Sequence, residues 1–239
     1  MTRIGIIGAA GRMGRAIAAE IGGGAVLAGG AEGGDDVGAL ARSSDVLVDF
    51  SVPAALEANL AAAADAGIPL VVGTTGLGAE HHRLLDAAAA RVAVLQSANM
   101  SLGITLLAHL VREATARLGP DWDIEIVEMH HRAKIDAPSG TALLLGRAAA
   151  DGRGVELGRI SDRDGRAGAR LPGRIGFASL RGGSVAGDHQ LILAGEGERL
   201  ELGHRAESRA IFARGAIKAA LWLAGKPPGL YSMGDVLGL

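Results

Sequence analysis

The 239 residues predict an α/β chain: an N-terminal parallel sheet, followed by an α+β domain on a mixed or antiparallel sheet. Three observations carry that prediction. Short apolar runs alternate with alanine-rich stretches of helical length over the first hundred residues, the pattern of a sheet wound with crossover helices. A glycine turn follows the first apolar run at once. Beyond residue 172, three strand-like segments succeed one another with short turns, which suits antiparallel pairing.

Residues 4–7 read as the first strand, Gly8-Ala9-Ala10-Gly11-Arg12-Met13-Gly14 as the turn, and 16–21 as the continuing helix. Strand, glycine turn and helix form the setting of a Rossmann-like dinucleotide fingerprint. Small residues there let the backbone approach a pyrophosphate at a helix N-terminus. The spacing is Gly-x-x-Gly-x-x-Gly, not the commoner Gly-x-Gly-x-x-Gly, so alone it is a weak signal, and a glycine turn without a ligand is the plainer reading. Residues 25–28 read as the second strand. Glu32, 18 residues beyond Gly14, stands where an acidic residue accepts hydrogen bonds from an adenosine ribose. Gly33 follows it, with no cation for a 2′-phosphate, so NADH is favoured over NADPH. Arg12 and Arg42 are the nearby cations.

Residues 46–50 read as the third strand, with Ser51 as cap of a helix over 54–66, Pro53 in its first turn and Gly67 as its stop. Residues 70–72 lead into Gly73-Thr74-Thr75-Gly76, and 92–95 into Ser97-Ala98-Asn99-Met100-Ser101. In a parallel sheet these loops gather at the carboxyl ends of the strands, where ligands bind. A helix over 104–118 ends at Gly119-Pro120. Residues 151–172, polar and rich in Gly and Arg, read as a long mobile loop. Strands over 175–181, 189–194 and 199–203, a helix over 208–224, and a tail with Trp222 and Tyr231 available for packing complete the chain.

The most informative stretch is 128–142, Glu-Met-His-His-Arg-Ala-Lys-Ile-Asp-Ala-Pro-Ser-Gly-Thr-Ala. A half-buried strand over 123–127 precedes it. A helix-compatible run from Ser139 through Leu145 follows, with Pro138 where a missing N–H is tolerated. Two histidines at a strand end, Lys134, and Ser139-Gly140-Thr141 at a helix start describe an anion site with a proton donor beside it. Neighbouring strand residues face opposite ways, so His130 and His131 need not share a task. Glu128 and His130 share a face, which allows a metal, yet no Cys and no His-x-x-x-His pair completes a tetrahedral set. His81, His82 and His109 read as solvated surface residues.

Composition narrows the classes. There is no cysteine, hence no disulfide scaffold, zinc–thiolate site or cysteine nucleophile. A formal charge of −2 without a basic block argues against nucleic acid. No uncharged apolar run nears the ~18 residues of a membrane span, and Met1-Thr2-Arg3 leads straight into a strand, so a cytoplasmic protein without a signal peptide is expected. The 38 glycines follow no strict repeat, and scarce aromatics disfavour a base-stacking platform.

Taken together, Glu128-x-His130-His131-x-x-Lys134-x-Asp136-Ala137-Pro138-Ser139-Gly140-Thr141-Ala142, the 8–14 turn, Gly73-Thr74-Thr75-Gly76, Ala98-Asn99 and Ile175-Gly176-Phe177 with Arg181 resemble a known family. It is the 4-hydroxy-tetrahydrodipicolinate (dihydrodipicolinate) reductase family of lysine and diaminopimelate biosynthesis. The closing Gly229-Leu230 and Asp235-Val236-Leu237 fit it too.

The resemblance implies a dinucleotide-binding domain (1–101 and 207–239), a substrate and oligomerisation domain (102–206), a homotetramer, and a hinge closing over a small dicarboxylate. It implies hydride addition at C4 and protonation at C3, with His130 as acid and Lys134 as anchor, roles the two could share. His131, Ser139, Gly140 and Thr141 would hold the substrate carboxylates. Gly8, Ala9, Ala10, Gly11, Arg12, Met13, Glu32, Gly73, Thr74, Thr75, Ser97, Ala98, Asn99 and Met100 would contact NADH or NADPH, with no metal.

Two departures stand out: 32–46 is shorter than the family pattern, implying a missing strand and part of a helix, and Gly33 replaces a frequent arginine. Rival readings are another nicotinamide-dependent dehydrogenase sharing the N-terminal half, or a non-catalytic NAD-sensing protein.

Overall fold

The structure, a computed structural model, describes residues 1–160 and 168–239. The first part of the chain runs β1 (Thr2–Ile7), α1 (Arg12–Glu20), β2 (Ala25–Ala31), α2 (Val37–Ser43), β3 (Val46–Asp49), a 3₁₀ turn (Pro53–Ala55), α3 (Leu56–Ala66), β4 (Leu70–Val72), α4 (Ala79–Ala89) and β5 (Ala93–Gln96). It continues with α5 (Leu102–Leu118), β6 (Asp123–His130), α6 (Gly140–Arg153), β7 (Arg159–Ile160), β8 (Ile175–Arg181), β9 (Asp188–Gly195) and β10 (Glu198–Arg205). The last elements are α7 (Ala210–Leu223), β11 (Gly229–Tyr231) and α8 (Met233–Leu237). Two compact units result: Met1–Leu102 with Ala210–Leu239, and Gly103–Arg209.

In the first unit six parallel strands lie in the order β11-β5-β4-β3-β1-β2. Successive strand side chains point to opposite faces, and here both faces are covered. Ile4, Ile6, Val46, Val48, Val71, Ala93 and Leu95 pack with Ile17 of α1 and the small residues Ala213, Ala216, Ala219 and Ala220 of α7. Ile7, Leu47, Leu70, Val72 and Val94 pack on the other side with Leu40 of α2, Leu56 and Leu60 of α3, and Leu85 of α4. The continuous apolar runs seen in the sequence are therefore those of a doubly covered parallel sheet.

The second unit is a five-stranded mixed sheet, β10-β9-β6-β8-β7. β6 pairs parallel to β8 and antiparallel to β9. Ile124 and Ile126 of β6 pack with Ile104, Leu107 and Val111 of α5 and Leu145 and Ala149 of α6. Glu128 and His130 extend the same buried row beyond the apolar part of the strand. The alternate residues Val127 and Met129 are half-buried, and Leu180, opposite Met129 on β8, is exposed.

Several expectations need correction. Helix α1 begins at Arg12, within the glycine turn, because Gly11 takes an extended N-cap conformation. Ser51 does not cap α3: its N–H goes to the buried Asp49 carboxylate and its hydroxyl accepts from Asn59, so the loop turns inward and a 3₁₀ turn opens the helix. Pro138 lies before the N-cap, Ser139, through a cis Ala137–Pro138 peptide. The loop expected over 151–172 instead contains the end of α6, closed by left-handed Gly154, and the short β7, while 161–167 fall outside the described residues. The shortened 32–46 region keeps one seven-residue helix, α2, between β2 and β3. The tail is ordered too: β11 joins the sheet beside β5, α8 follows, and Tyr231 meets Trp222 edge to face at 5.4 Å.

Candidate active site

Two places hold the residues singled out from the sequence, one in each unit. In the first, Gly8 (φ 79°) turns the chain out of β1, and its N–H bonds Ala31 O at 2.8 Å. Gly14 packs α1 against that turn. A Cβ there would lie 2.6 Å from the Ala9 Cα and closer still to Gly8 O, so only glycine permits this approach. The Glu32 carboxylate accepts the Ala10 N–H, which ties the end of β2 to the turn, and Asp35 accepts the Glu32 N–H at 2.8 Å.

Beside the turn lies a cavity of about 450 Å³. Arg12, Met13, Gly73, Thr74, Thr75, Ala98, Asn99 and Met100 line it, joined by Phe50, Ser51 and Phe212. Gly73 matters sterically, since a Cβ would press on the Phe50 ring, 2.9 Å from Cδ1. Ser97 turns its hydroxyl onto its own loop, donating to Asn99 O at 2.8 Å. Gly8, Ala9, Ala10, Gly11, Glu32 and Ser97 form the frame around the cavity and are not part of its lining. Close backbone, a helix start and a cavity of this size fit a dinucleotide.

In the second unit, β6 ends in a buried charge cluster. The Glu128 carboxylate, 1% exposed, lies 2.5 Å from His130 Nδ1. Arg181 grips it through two N–H groups at 2.8 and 2.9 Å, and the Ser139 N–H reaches it at 3.3 Å. Burial pushes this carboxyl up, but hydrogen bonds from Arg181, Ser179 and His130 outweigh burial and hold it at about 2. Glu128 is thus ionised at neutral pH, His130 donates Nδ1–H to it, and Nε2 is the nitrogen left for chemistry. That edge faces Gly187, where a Cβ would sit 3.0 Å from Nε2.

His131, just past the end of β6, has a different fate: its Nε2 lies 3.1 Å from Arg209 Nη2, which donates to it. Lys134 is half-buried and bonds both Asp136 carboxylate oxygens at 2.7 and 2.9 Å. Lys134 foremost holds the Asp136 carboxyl below its ordinary value. Arg181 also donates to Asp136 O at 2.6 Å, which fastens the 131–138 loop to the cluster. Ser139 caps α6 by accepting the Ala142 N–H at 3.2 Å, and Gly140 and Thr141 are the first helical residues. Among the described residues no group of three His, Cys, Asp or Glu could hold a metal.

The family model described as "Dihydrodipicolinate reductase, N-terminus" matches residues 2–100, and its C-terminus counterpart matches 103–237. The chain belongs to the dihydrodipicolinate reductase family. It is 59% identical to the 4-hydroxy-tetrahydrodipicolinate reductase of Zymomonas mobilis subsp. mobilis, over 99% of this chain and 97% of the relative. It is 53% identical to that of Parvibaculum lavamentivorans, over 99% and 98%. The dipicolinate-bound dihydrodipicolinate reductase of Paenisporosarcina sp. TG-14 shares the fold, with a TM-score of 0.81, 23% identity and both chains fully covered. As a member of this family of nicotinamide-dependent reductases the chain is an oxidoreductase, and the reading as a non-catalytic sensor is set aside. A probable dehydrogenase from Thermotoga maritima, with a TM-score of 0.64 and 14% identity, is alike in fold alone.

Several residues at these two places were not assigned from the sequence. Arg181 and His189 reach Glu128 and Ser139 only through strand pairing, with His130 opposite Arg181 and Glu128 opposite His189. Phe50 and Phe212 come from distant segments. Glu128 did carry a signal, its i, i+2 placement with His130, which the sequence reading weighed only as a metal pair.

Proposed function

We propose that this chain reduces 4-hydroxy-tetrahydrodipicolinate (dihydrodipicolinate) to tetrahydrodipicolinate with NADH or NADPH, in the biosynthesis of diaminopimelate and lysine. One observation carries the reading within the family. At the end of β6 an imidazole is held by a buried, ionised carboxylate, beside a lysine and a capped helix start. That arrangement suits protonation of a doubly charged ring.

When bound, the reduced nicotinamide supplies a hydride, which adds at ring C4 of the conjugated imine left after loss of water. Electron density at C3 then requires a proton. His130 gives it from Nε2, while Glu128 keeps Nδ1–H oriented. Lys134 and the Ser139-Gly140-Thr141 start of α6, with His131, take the substrate carboxylates. Lys134 exchanges Asp136 for a substrate carboxylate as it does so. The ring is activated by its own conjugation, so no metal enters the scheme.

Gly8, Ala9, Ala10, Gly11, Arg12 and Met13 would hold the pyrophosphate, and Gly73, Thr74, Thr75, Ser97, Ala98, Asn99 and Met100 the remainder of the cofactor. The tight packing of Gly14 on Gly8 and Ala9 supports this, because it brings the start of α1 against the turn. Glu32 serves the adenosine ribose. The neighbouring Asp35 carboxylate adds a second negative charge, which repels a 2′-phosphate and favours NADH. The chain would act in the cytoplasm as a homotetramer joined through its second-unit sheets. Supporting this, Leu180 is exposed on that sheet beside half-buried Met129.

Steady-state kinetics with enzymatically generated precursor test the reading. His130→Ala lowers kcat by on the order of 10²–10⁴ with NADH binding intact. A variant retaining more than a tenth of the turnover would remove His130 from the mechanism. Glu32→Ala weakens NADH more than NADPH; equal losses would detach Glu32 from the 2′ position.

A further inference from the structure

Strand pairing brings a third histidine into the β6 cluster. His189 is 6% exposed, its Nε2 lies 3.0 Å from Ser139 Oγ, and its ring meets that of His130 edge to face at 5.1 Å. Nδ1 is buried without a partner among the described residues. Burial foremost, then the charge of His130, brings this imidazole down to about 4, so it is neutral at pH 7.

A neutral imidazole carries a single N–H. On Nδ1 that hydrogen would be a buried donor without an acceptor, which folded proteins avoid more strictly than a bare acceptor. The hydrogen therefore sits on Nε2, and His189 donates to Ser139 Oγ. The same oxygen accepts the Ala142 N–H. A hydroxyl has two lone pairs and one hydrogen. Both lone pairs being engaged, the hydrogen must point elsewhere.

We propose that His189 is a positioning residue: by donating to Ser139 it makes that hydroxyl an obligate donor to a carboxylate at the start of α6. This rests on the reading of the helix start as the dicarboxylate site. In the opposite tautomer Ser139 would give its hydrogen to His189 and turn a lone pair toward the ligand, which repels a carboxylate. The choice of proton on a residue 50 positions away thus sets the sign of an interaction at Ser139.

Calorimetric titration of the full-length protein with pyridine-2,6-dicarboxylate tests it, using Ser139→Ala, His189→Asn and His189→Gln. The glutamine amide nitrogen reaches the place of Nε2, whereas that of asparagine reaches only the place of Nδ1. Ser139→Ala and His189→Asn should each weaken binding on the order of tenfold. His189→Gln should stay within about threefold of wild type, with NADH affinity unchanged in all three. The double variant Ser139→Ala/His189→Asn should bind no more weakly than Ser139→Ala alone. Wild-type affinity in His189→Asn, or equal losses in the Asn and Gln variants, overturns the proposal while leaving the site reading intact. Wild-type affinity in Ser139→Ala overturns both. Should the Asn variant not fold, the imidazole ¹⁵N spectrum of the wild-type protein decides: a hydrogen on Nε2 at neutral pH is expected, and one on Nδ1 refutes the proposal.

Discussion

Replacing Glu128 by glutamine keeps the shape of the β6 cluster and removes the charge that Arg181 and His130 share. The fall of the Glu128 carboxyl from 4.5 to about 2 corresponds to roughly 3 kcal/mol of stability at neutral pH, at about 1.36 kcal/mol per pH unit. Arg181 is about one-fifth exposed and regains some hydration when its partner is lost, so the expected loss is about 2–3 kcal/mol. The sign with pH follows from a depressed acid. The contribution is complete above the unfolded value of 4.5 and vanishes as pH falls through about 2. By pH 3 about two-fifths of it remains. Trp122 packs against the core of the same unit and reports its unfolding. In a Trp222→Phe background, urea unfolding followed by Trp122 fluorescence should show a gap between parent and Glu128→Gln at pH 7 that narrows steadily below pH 4.5. A gap under about 0.5 kcal/mol, the size of an ordinary surface substitution, or one of constant size down to pH 3, would refute the reasoning.

Lys134→Ala should raise KM for the dicarboxylate at least about tenfold while kcat changes only a few-fold, since it removes ground-state and transition-state binding alike. An unchanged KM would place the anchor elsewhere. Gly14→Ala drives a methyl into Gly8 O and Ala9 and displaces the turn. NADH affinity, followed by nicotinamide fluorescence, should fall more than about tenfold while pyridine-2,6-dicarboxylate still binds. Undiminished NADH affinity would show that the packing of the turn does not matter for the cofactor.

The parallel sheet was legible because it is covered on both faces: a strand buried on two sides is a short apolar run, and 46–49 and 70–72 show no alternation at all. Strand β6 was legible for the opposite reason, the polar–apolar alternation that opens it from Asp123 through Ile126. Short elements were harder to see. β11 is three residues long and half-buried, so neither pattern applies. α2 is a seven-residue helix whose Asp36 cap lies among other polar residues. At the β6 cluster, the residues contiguous in sequence could be given roles, while Arg181 stood only within the family resemblance and His189 and Arg209 carried no signal. The places of Arg181 and His189 depend on which strands pair and in what register, and local periodicity carries no record of that.

The first unit is begun at residue 1 and completed only by residues 210–239. One side of its sheet packs on Ala213, Ala216, Ala219, Ala220 and Leu223, and its edge beside β5 is filled by Leu230 and its neighbours. As the chain is made on the ribosome, those strands wait on the order of ten seconds with an oily face bare, while the inserted unit is translated in full and can fold ahead of them. Residues 210–239 thus close a unit whose other strands are made well before them, and a nonsense codon ahead of residue 210 would strip the apolar lining from that sheet.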